Sequence, residues 1–496
     1  MHLKKNLIAN YIGQFYLIII SIIMVPFYLK YMGTEAYGLV GFFTLVQSWM
    51  MLLDAGFSPT LLREVALVKS SKSSKKLTEF KYLFHSMEAL FFTAALSISI
   101  LLFIFSDFLT KNWLKVETLP LDQVAYVISL IGVMVGARFI TTLYKSGIAG
   151  AEELIWLNKM NIFIATIRYI GVLLVLHFIS SDFQHFFEYQ LIVAIVELFI
   201  FAIFFYKTMK LGTYKLYFSI NSLKPILSFS MGIAYSSIVW IVITQLDKLL
   251  LSGILSLKEY GYFSILTVIA NGIMQVASPI SKALLPRMSA LYAEQNISEM
   301  ILIYKKTSQV FAILLFSITG IITLYSYELL LAWTGNQEAA LWGKDILIWY
   351  TLGNALLAFS GFAFYIQFVY GNLKMHLRFY TFLLIFFSPL IAWTTYTYGA
   401  EGMAKLWFIF SLATFIIWVA WVHHIFIPKQ HIPWLMKDIM PIFISTITYI
   451  FLLQYLELTP DGERGTMIML FSIGLGLILT NILFSSLGRK VILKRN

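Results

Sequence analysis

Apolar runs of roughly twenty residues, each separated by a short polar segment, follow one another along nearly the whole chain. That is the length needed to cross the hydrocarbon core of a bilayer as a helix. The runs fall at 7–29, 36–53, 82–105, 123–144, 161–179, 189–206 and 226–251. They continue at 260–283, 307–330, 346–370, 379–398, 406–427, 439–456 and 466–487. The pattern predicts an all-α integral membrane protein of about fourteen transmembrane helices. The connections are too short to hold a soluble domain, and the first run is too long for the h-region of a signal peptide.

The pattern also repeats. Thr34-Glu35-Ala36-Tyr37-Gly38-Leu39-Val40 returns loosely as Leu257-Lys258-Glu259-Tyr260-Gly261-Tyr262-Phe263, each copy lying between two apolar runs. Leu61-Leu62 before Arg63 keeps the same offset as Leu284-Leu285 before Pro286-Arg287. Six runs separate the copies, so runs 1 and 7 enter the membrane from the same side and the halves are parallel repeats. The expected division is an N-terminal lobe at 1–215, a C-terminal lobe at 216–430, and two additional helices with a tail at 431–496. Each repeat copy is expected to mark the turn between the leading helices of a lobe, as a packing element and not as the site itself.

Composition sharpens this reading. Of 496 residues 59% are hydrophobic and only 12% charged, about half the usual share of ~25% in soluble proteins. The net charge of +11 has a topological explanation in place of a nucleic-acid one. Even-numbered connections and both tails hold 25 of the 36 Lys and Arg residues, and odd-numbered connections hold seven. The positive-inside rule then puts both termini in the cytoplasm.

Within the spans the polar residues are few. Asn271, Gln275, Ser278 and Lys282 fall at i, i+4, i+7 and i+11, one helical face rising ~16 Å. Span 1 carries Asn10, Gln14 and Ser21, and span 2 carries Thr44, Gln47 and Asp54. Single hydroxyls and amides often do no more than bond a neighbouring helix. The four-residue stripe on span 8 favours a cavity wall. Arg138 on span 4 and Arg168 on span 5 are candidate functional residues of a cavity, or each pairs with an acid such as Glu197 for structure alone. Glu197, near the middle of span 6, is open to two readings, an ion-coupling carboxylate or a structural ion pair. Lys282 is close enough to an interface to snorkel. Asp247 and Lys248 on span 7 point ~100° apart, so one is expected in the cavity and the other turned away. Asp247 is also an ion-coupling candidate, and Glu88, two turns into span 3, suits the interface.

Catalytic chemistry finds little support. There is no cysteine. The histidines His85, His177, His185, His376, His423, His424 and His431 lie near span ends or in connections with no metal-like spacing, and His423-His424 suits interfacial anchoring. No nucleotide-binding fingerprint is present. The expectation is no metal and no cofactor, with transport driven either by an ion gradient, H+ or Na+, or by the substrate's own gradient. A membrane-embedded glycan polymerase or acyltransferase would need a catalytic acid or histidine beside a long external loop.

Several motifs resemble those of the bacterial polysaccharide-biosynthesis, or oligosaccharide flippase, transporters. They are Val25-Pro26-Phe27 followed by Tyr31-Met32-Gly33-Thr34-Glu35-Ala36-Tyr37-Gly38, and Asp54-Ala55-Gly56-Phe57 leading to Leu62-Arg63-Glu64. The stretch from Asp247-Lys248-Leu249 to Glu259-Tyr260-Gly261-Tyr262, with Ser278-Pro279 and Leu285-Pro286-Arg287, is similar to their helix 7–8 region. The resemblance implies two six-helix lobes around a V-shaped cavity in the cytoplasmic (inner) membrane. It implies alternating access that carries an undecaprenyl-diphosphate-linked oligosaccharide from the inner to the outer leaflet. It further implies a monomer working beside a glycan polymerase and a chain-length regulator, with no nucleic-acid partner. Arg138, Arg168 and Lys282 would meet the diphosphate and acidic sugars. The superfamily alternatives are a multidrug or cation extruder, which predicts an acid-dominated cavity, and a lipid II flippase. The cluster of arginines in the first two helices expected of lipid II flippases is missing here.

Overall fold

The computed structural model describes residues 2–71, 74–212, 218–456 and 462–493, and among these every regular element is a helix. A backbone in lipid must satisfy its own hydrogen bonds, and a helix does so within one segment. Eleven helical stretches are long and apolar enough to cross a membrane, so the chain is a multi-pass membrane protein. Two of them, Gly13–Asp54 with 42 residues and Lys374–Phe426 with 53, exceed the length of a single crossing. Both are broken at glycine: Gly33 has φ 79°, ψ 173° and Gly399 has φ 64°, ψ −153°. That region of backbone space is essentially closed to residues with a Cβ.

The helices are α1 His2–Met50, α2 Phe57–Ser70, α3 Ser74–Ile104, α4 Leu121–Gly150 and α5 Leu154–Thr166. After a π-helical turn at Ile167–Gly171 come α6 Val172–Phe178, α7 Phe183–Met209, α8 Ile220–Ile254 and α9 Leu257–Ala293. Then follow α10 Ile297–Leu324, α11 Gln337–Val369, α12 Ser388–Ala413, α13 Val419–Phe426, α14 Met440–Tyr455 and α15 Gly462–Phe484. They gather into two compact units. The first comprises Met1–Ser264 with Tyr380–Ala392, and the second Ile265–Phe379 with Trp393–Asn496.

In the first unit α4 is the central helix, packed by α2, α3 and α7, while α1 packs along α5 and α8. The two repeat copies meet here, reciprocally. A Cβ on Gly38 would strike the carbonyl oxygen of Leu257, and one on Gly261 would strike that of Thr34. Each contact joins the fifth position of one copy to the first position of the other, as a local two-fold requires. The turns beside them are tied down by different means. Glu35 accepts hydrogen bonds from the backbone N–H groups of Glu117 (2.5 Å) and Thr118 (3.0 Å). Ser256 and Glu259 form a reciprocal capping box at the start of α9, at 3.1 and 3.2 Å. Trp113 Nε1 donates to Ser252 at 2.9 Å and Lys115 Nζ to the Ile254 carbonyl at 2.7 Å, fixing the segment before α4 on the end of α8.

In the second unit the C-terminal pair α14 and α15 packs on α10. Fully buried Asn481 is the polar joint, its Nδ2 donating to Ser317 and Thr446, both at 2.9 Å. Such bonds contribute roughly 0.6 kcal/mol on average between membrane helices, so apolar packing carries most of the association. His423 was expected to anchor at an interface, but it is fully buried. Its Nε2 lies 2.7 Å from Tyr304 Oη and its Nδ1 3.0 Å from His431 Nδ1. The neighbouring His424 is exposed, so the two faces of one helix separate the pair.

Candidate functional site

Two cations of the first unit, Lys145 and Arg168, converge on one buried carboxylate. Glu197, in the middle of α7, has a side chain only 3% exposed and receives Lys145 Nζ at 2.7 Å on Oε1. Arg168 Nη2 donates to its Oε2. Lys145 extends from α4, seven residues beyond Arg138, which places both on one face of that helix. Sequence reasoning assigned Lys145 to a connection. The helix in fact runs on to Gly150, and the stem of Lys145 carries its ammonium over the Phe201 ring at 4.7 Å.

Arg168 is held by an irregularity in its own helix. The helix takes a π-helical turn at Ile167–Gly171, and three successive carbonyls of that turn accept from side chains. Tyr189 Oη donates to Ile167 O at 3.0 Å, Gln190 Nε2 to Arg168 O at 3.0 Å, and Tyr28 Oη to Tyr169 O at 2.9 Å. Gln190 serves both arginines. With its amide nitrogen spent on the Arg168 carbonyl, its oxygen faces outward and accepts from Arg138 Nη2 at 3.2 Å. Arg138 Nη1 reaches Gln47 Oε1 of α1 at 3.3 Å, and its guanidinium lies over the Phe43 ring at 4.6 Å. The buried Nε–H groups of Arg138 and Arg168 have no hydrogen-bond partner in the structure.

Four of the predicted residues, Gln47, Arg138, Arg168 and Glu197, thus belong to one network, joined by Lys145 and Gln190. Gln14 is half-buried on α1, and Asn271 and Gln275 are exposed on α9. Asn10 and Lys282 fall on α1 and α9 with side chains outside the described part of the structure. Asp247 and Lys248 do meet, against expectation. The lysine folds back along α8 so that its Nζ lies 3.3 Å from Asp247 Oδ1 and donates to the Thr244 carbonyl at 2.5 Å. The 100° argument compares Cβ directions and neglects the reach of a four-carbon stem.

Glu88 is enclosed by protein. It is 1% exposed and sits between α3, α4 and α7. Tyr144 Oη donates to its Oε1, and Tyr206 Oη to its Oε2 at 2.7 Å. His85 Nδ1 lies 3.2 Å from Oε2, one helical turn away on α3. Phe84 packs its ring at tilted and edge-on angles against those of Tyr144, Phe205 and Tyr206 and closes the cluster with apolar surface. The i, i+3 spacing of His85 and Glu88 was the available sequence signal. The tyrosines that bury the pair come from two distant helices. Among the described residues no group of His, Cys, Asp and Glu is arranged to hold a metal ion.

Residues 3–292 match the model of a family described as "Polysaccharide biosynthesis protein". No curated protein matches the chain. Among solved structures, the lipid II flippase MurJ in an inward closed conformation is similar in fold, with a TM-score of 0.73 at 16% identity. That match covers 98% of this chain and 99% of that one. An inward-facing multidrug resistance MATE family transporter of the MOP superfamily gives 0.63 at 12% identity, covering 83% and 96%. A MOP superfamily transporter from Pyrococcus furiosus gives 0.55 at 13% identity, covering 85% and 96%.

Proposed function

The chain belongs to the polysaccharide biosynthesis protein family, and from that premise we propose that it is a flippase for a lipid-linked oligosaccharide. It carries a polyprenyl-diphosphate-linked repeat unit from the inner to the outer leaflet of a bacterial cytoplasmic membrane by alternating access, without catalysing a covalent reaction. On this reading each glycine-broken stretch crosses twice and α9 once, giving fourteen crossings with both termini in the cytoplasm. The lobes follow the sequence-based division at 1–215 and 216–430, with 431–496 added.

The observation that carries the proposal is the network of Arg138, Arg168 and Lys145 around the single carboxylate of Glu197. Three cations against one acid leave a positive surplus inside the membrane-spanning helices, where an unpaired charge is costly. A diphosphate supplies the missing anion, and the free Nε–H groups of both arginines are suitable donors for its oxygens. We read Glu197 as the counter-ion that keeps the cations in place when no substrate is bound. A drug or cation extruder is disfavoured, since it would need an excess of acid in this position.

Lipid II is the second reading. It also carries a polyprenyl diphosphate, and the MurJ fold spans both chains almost end to end. The test of the network is Arg138→Ala together with Arg138→Lys. Loss of one charge-assisted hydrogen-bonding group, worth roughly 1.5–3 kcal/mol, predicts about a tenfold or greater fall in surface glycan at unchanged protein level in the membrane. Arg138→Lys is expected to restore only part of it, because the lysine keeps the charge and loses the fork. Normal surface glycan in Arg138→Ala at unchanged protein level contradicts the assignment.

A further inference from the structure

We propose that Glu88 and His85 form a proton-binding site, separate from the cation network, through which proton uptake and release act on the helices that carry the network. The coupling half of this inference rests on the flippase reading; the site itself does not.

The geometry sets Glu88 apart from the other deeply buried glutamate of the first unit. Glu197 touches two permanent cations, so a proton on it would have to displace Lys145 or Arg168. Glu88 touches two phenols and an imidazole, none of which carries a fixed charge. A carboxylate this buried needs either a cation or a proton, and His85 can supply both. In one state His85 Nδ1–H donates to Oε2 of the carboxylate. In the other, a proton taken up from outside the pair resides on His85 Nε2, and the shared proton lies between Oε2 and Nδ1 across the same 3.2 Å. The pair thus binds or releases one proton without a change of backbone. Among the described residues, the titratable groups bonded to it are Tyr144 from α4, Tyr206 from α7 and His85 from its own helix. Where α8 begins on this flank, the contact is neutral, Ser219 N–H donating to Ser86 Oγ at 3.0 Å.

The route to the network is short. Tyr144 precedes Lys145 on α4, and Tyr206 follows Glu197 by nine residues on α7, a rise of ~13.5 Å. The phenols bonded to Glu88 therefore belong to the same two helices that present Lys145, Arg138 and Glu197. Protonation converts a charged acceptor of three hydrogen bonds into a group that donates one to His85 and accepts two weaker ones from the phenols, which changes the strength of its hold on those helices.

The experiment is an infrared difference titration of the full-length protein in liposomes, following the carboxylic C=O stretch as pH is stepped at constant Na+. It needs no substrate, so it can fail or succeed independently of the flippase reading. The expected result is a carboxyl band that changes with pH in the wild type and is lost in Glu88→Gln. The band should remain in Glu197→Gln. His85→Gln and Tyr206→Phe, which keep the carboxyl group, are each expected to displace its midpoint. An unchanged band in Glu88→Gln overturns the proposal. So does a midpoint insensitive to both His85→Gln and Tyr206→Phe, or a band that responds to Na+ at fixed pH and not to pH itself.

Discussion

Two glutamates, nearly equally buried and both in contact with α4 and α7, are satisfied by opposite chemistry. Glu197 sits between an ammonium and a guanidinium, while Glu88 sits among hydroxyls and an imidazole. The first arrangement fixes a charge in place and costs a great deal to disturb. The second leaves the charge free to change by one proton. Burial alone therefore says little about what a membrane carboxylate does; the fixed charge of its partners decides it.

The comparison can be broken by removing each acid in turn. Glu197→Ala strands two cations, and the expected loss is about 3–5 kcal/mol, read as a large drop in the unfolding midpoint of the purified protein. Glu88→Gln keeps the shape and an acceptor for the tyrosines. Its expected cost is smaller, about 1–2 kcal/mol. If Glu88→Gln proves as destabilising as Glu197→Ala, the distinction between them fails. The finest probe is Tyr206→Phe, which deletes one donor to Glu88 and is expected to cost about 1 kcal/mol. A result below ~0.3 kcal/mol would mean that the 2.7 Å contact contributes nothing to the cluster.

Much of the fold was legible because lipid imposes a strong rule. A backbone that cannot bond to solvent must be helical, so apolar run length locates the helices, and the breaks at Gly33 and Gly399 fall in the short gaps between runs 1 and 2 and between runs 11 and 12. The repeat was legible as sequence, but the reciprocal seating of Gly38 on Leu257 and Gly261 on Thr34 was not, since it depends on how distant helices approach. The site was half legible. Arg138, Arg168 and Glu197 stood out because charges are rare in spans. Lys145 and Glu88 were assigned to a connection and an interface because they lie near the ends of apolar runs. Hydropathy cannot register that Phe201 covers one and Tyr144 and Tyr206 enclose the other. Gln190 carried no signal at all, and its role follows only from the π-helical turn whose carbonyl it occupies.

The central claim is that this chain moves a polyprenyl-diphosphate-linked glycan across a bilayer with its intramembrane cations. Its most direct test is reconstitution of the purified protein in vesicles holding a fluorescent polyprenyl-diphosphate oligosaccharide, with a membrane-impermeant reagent reporting leaflet accessibility. The predicted result is protein-dependent exposure of the initially protected leaflet, lost in Arg138→Ala and much weaker when lipid II replaces the oligosaccharide. Accessibility that is the same with and without the protein, or unaffected by Arg138→Ala, would contradict it.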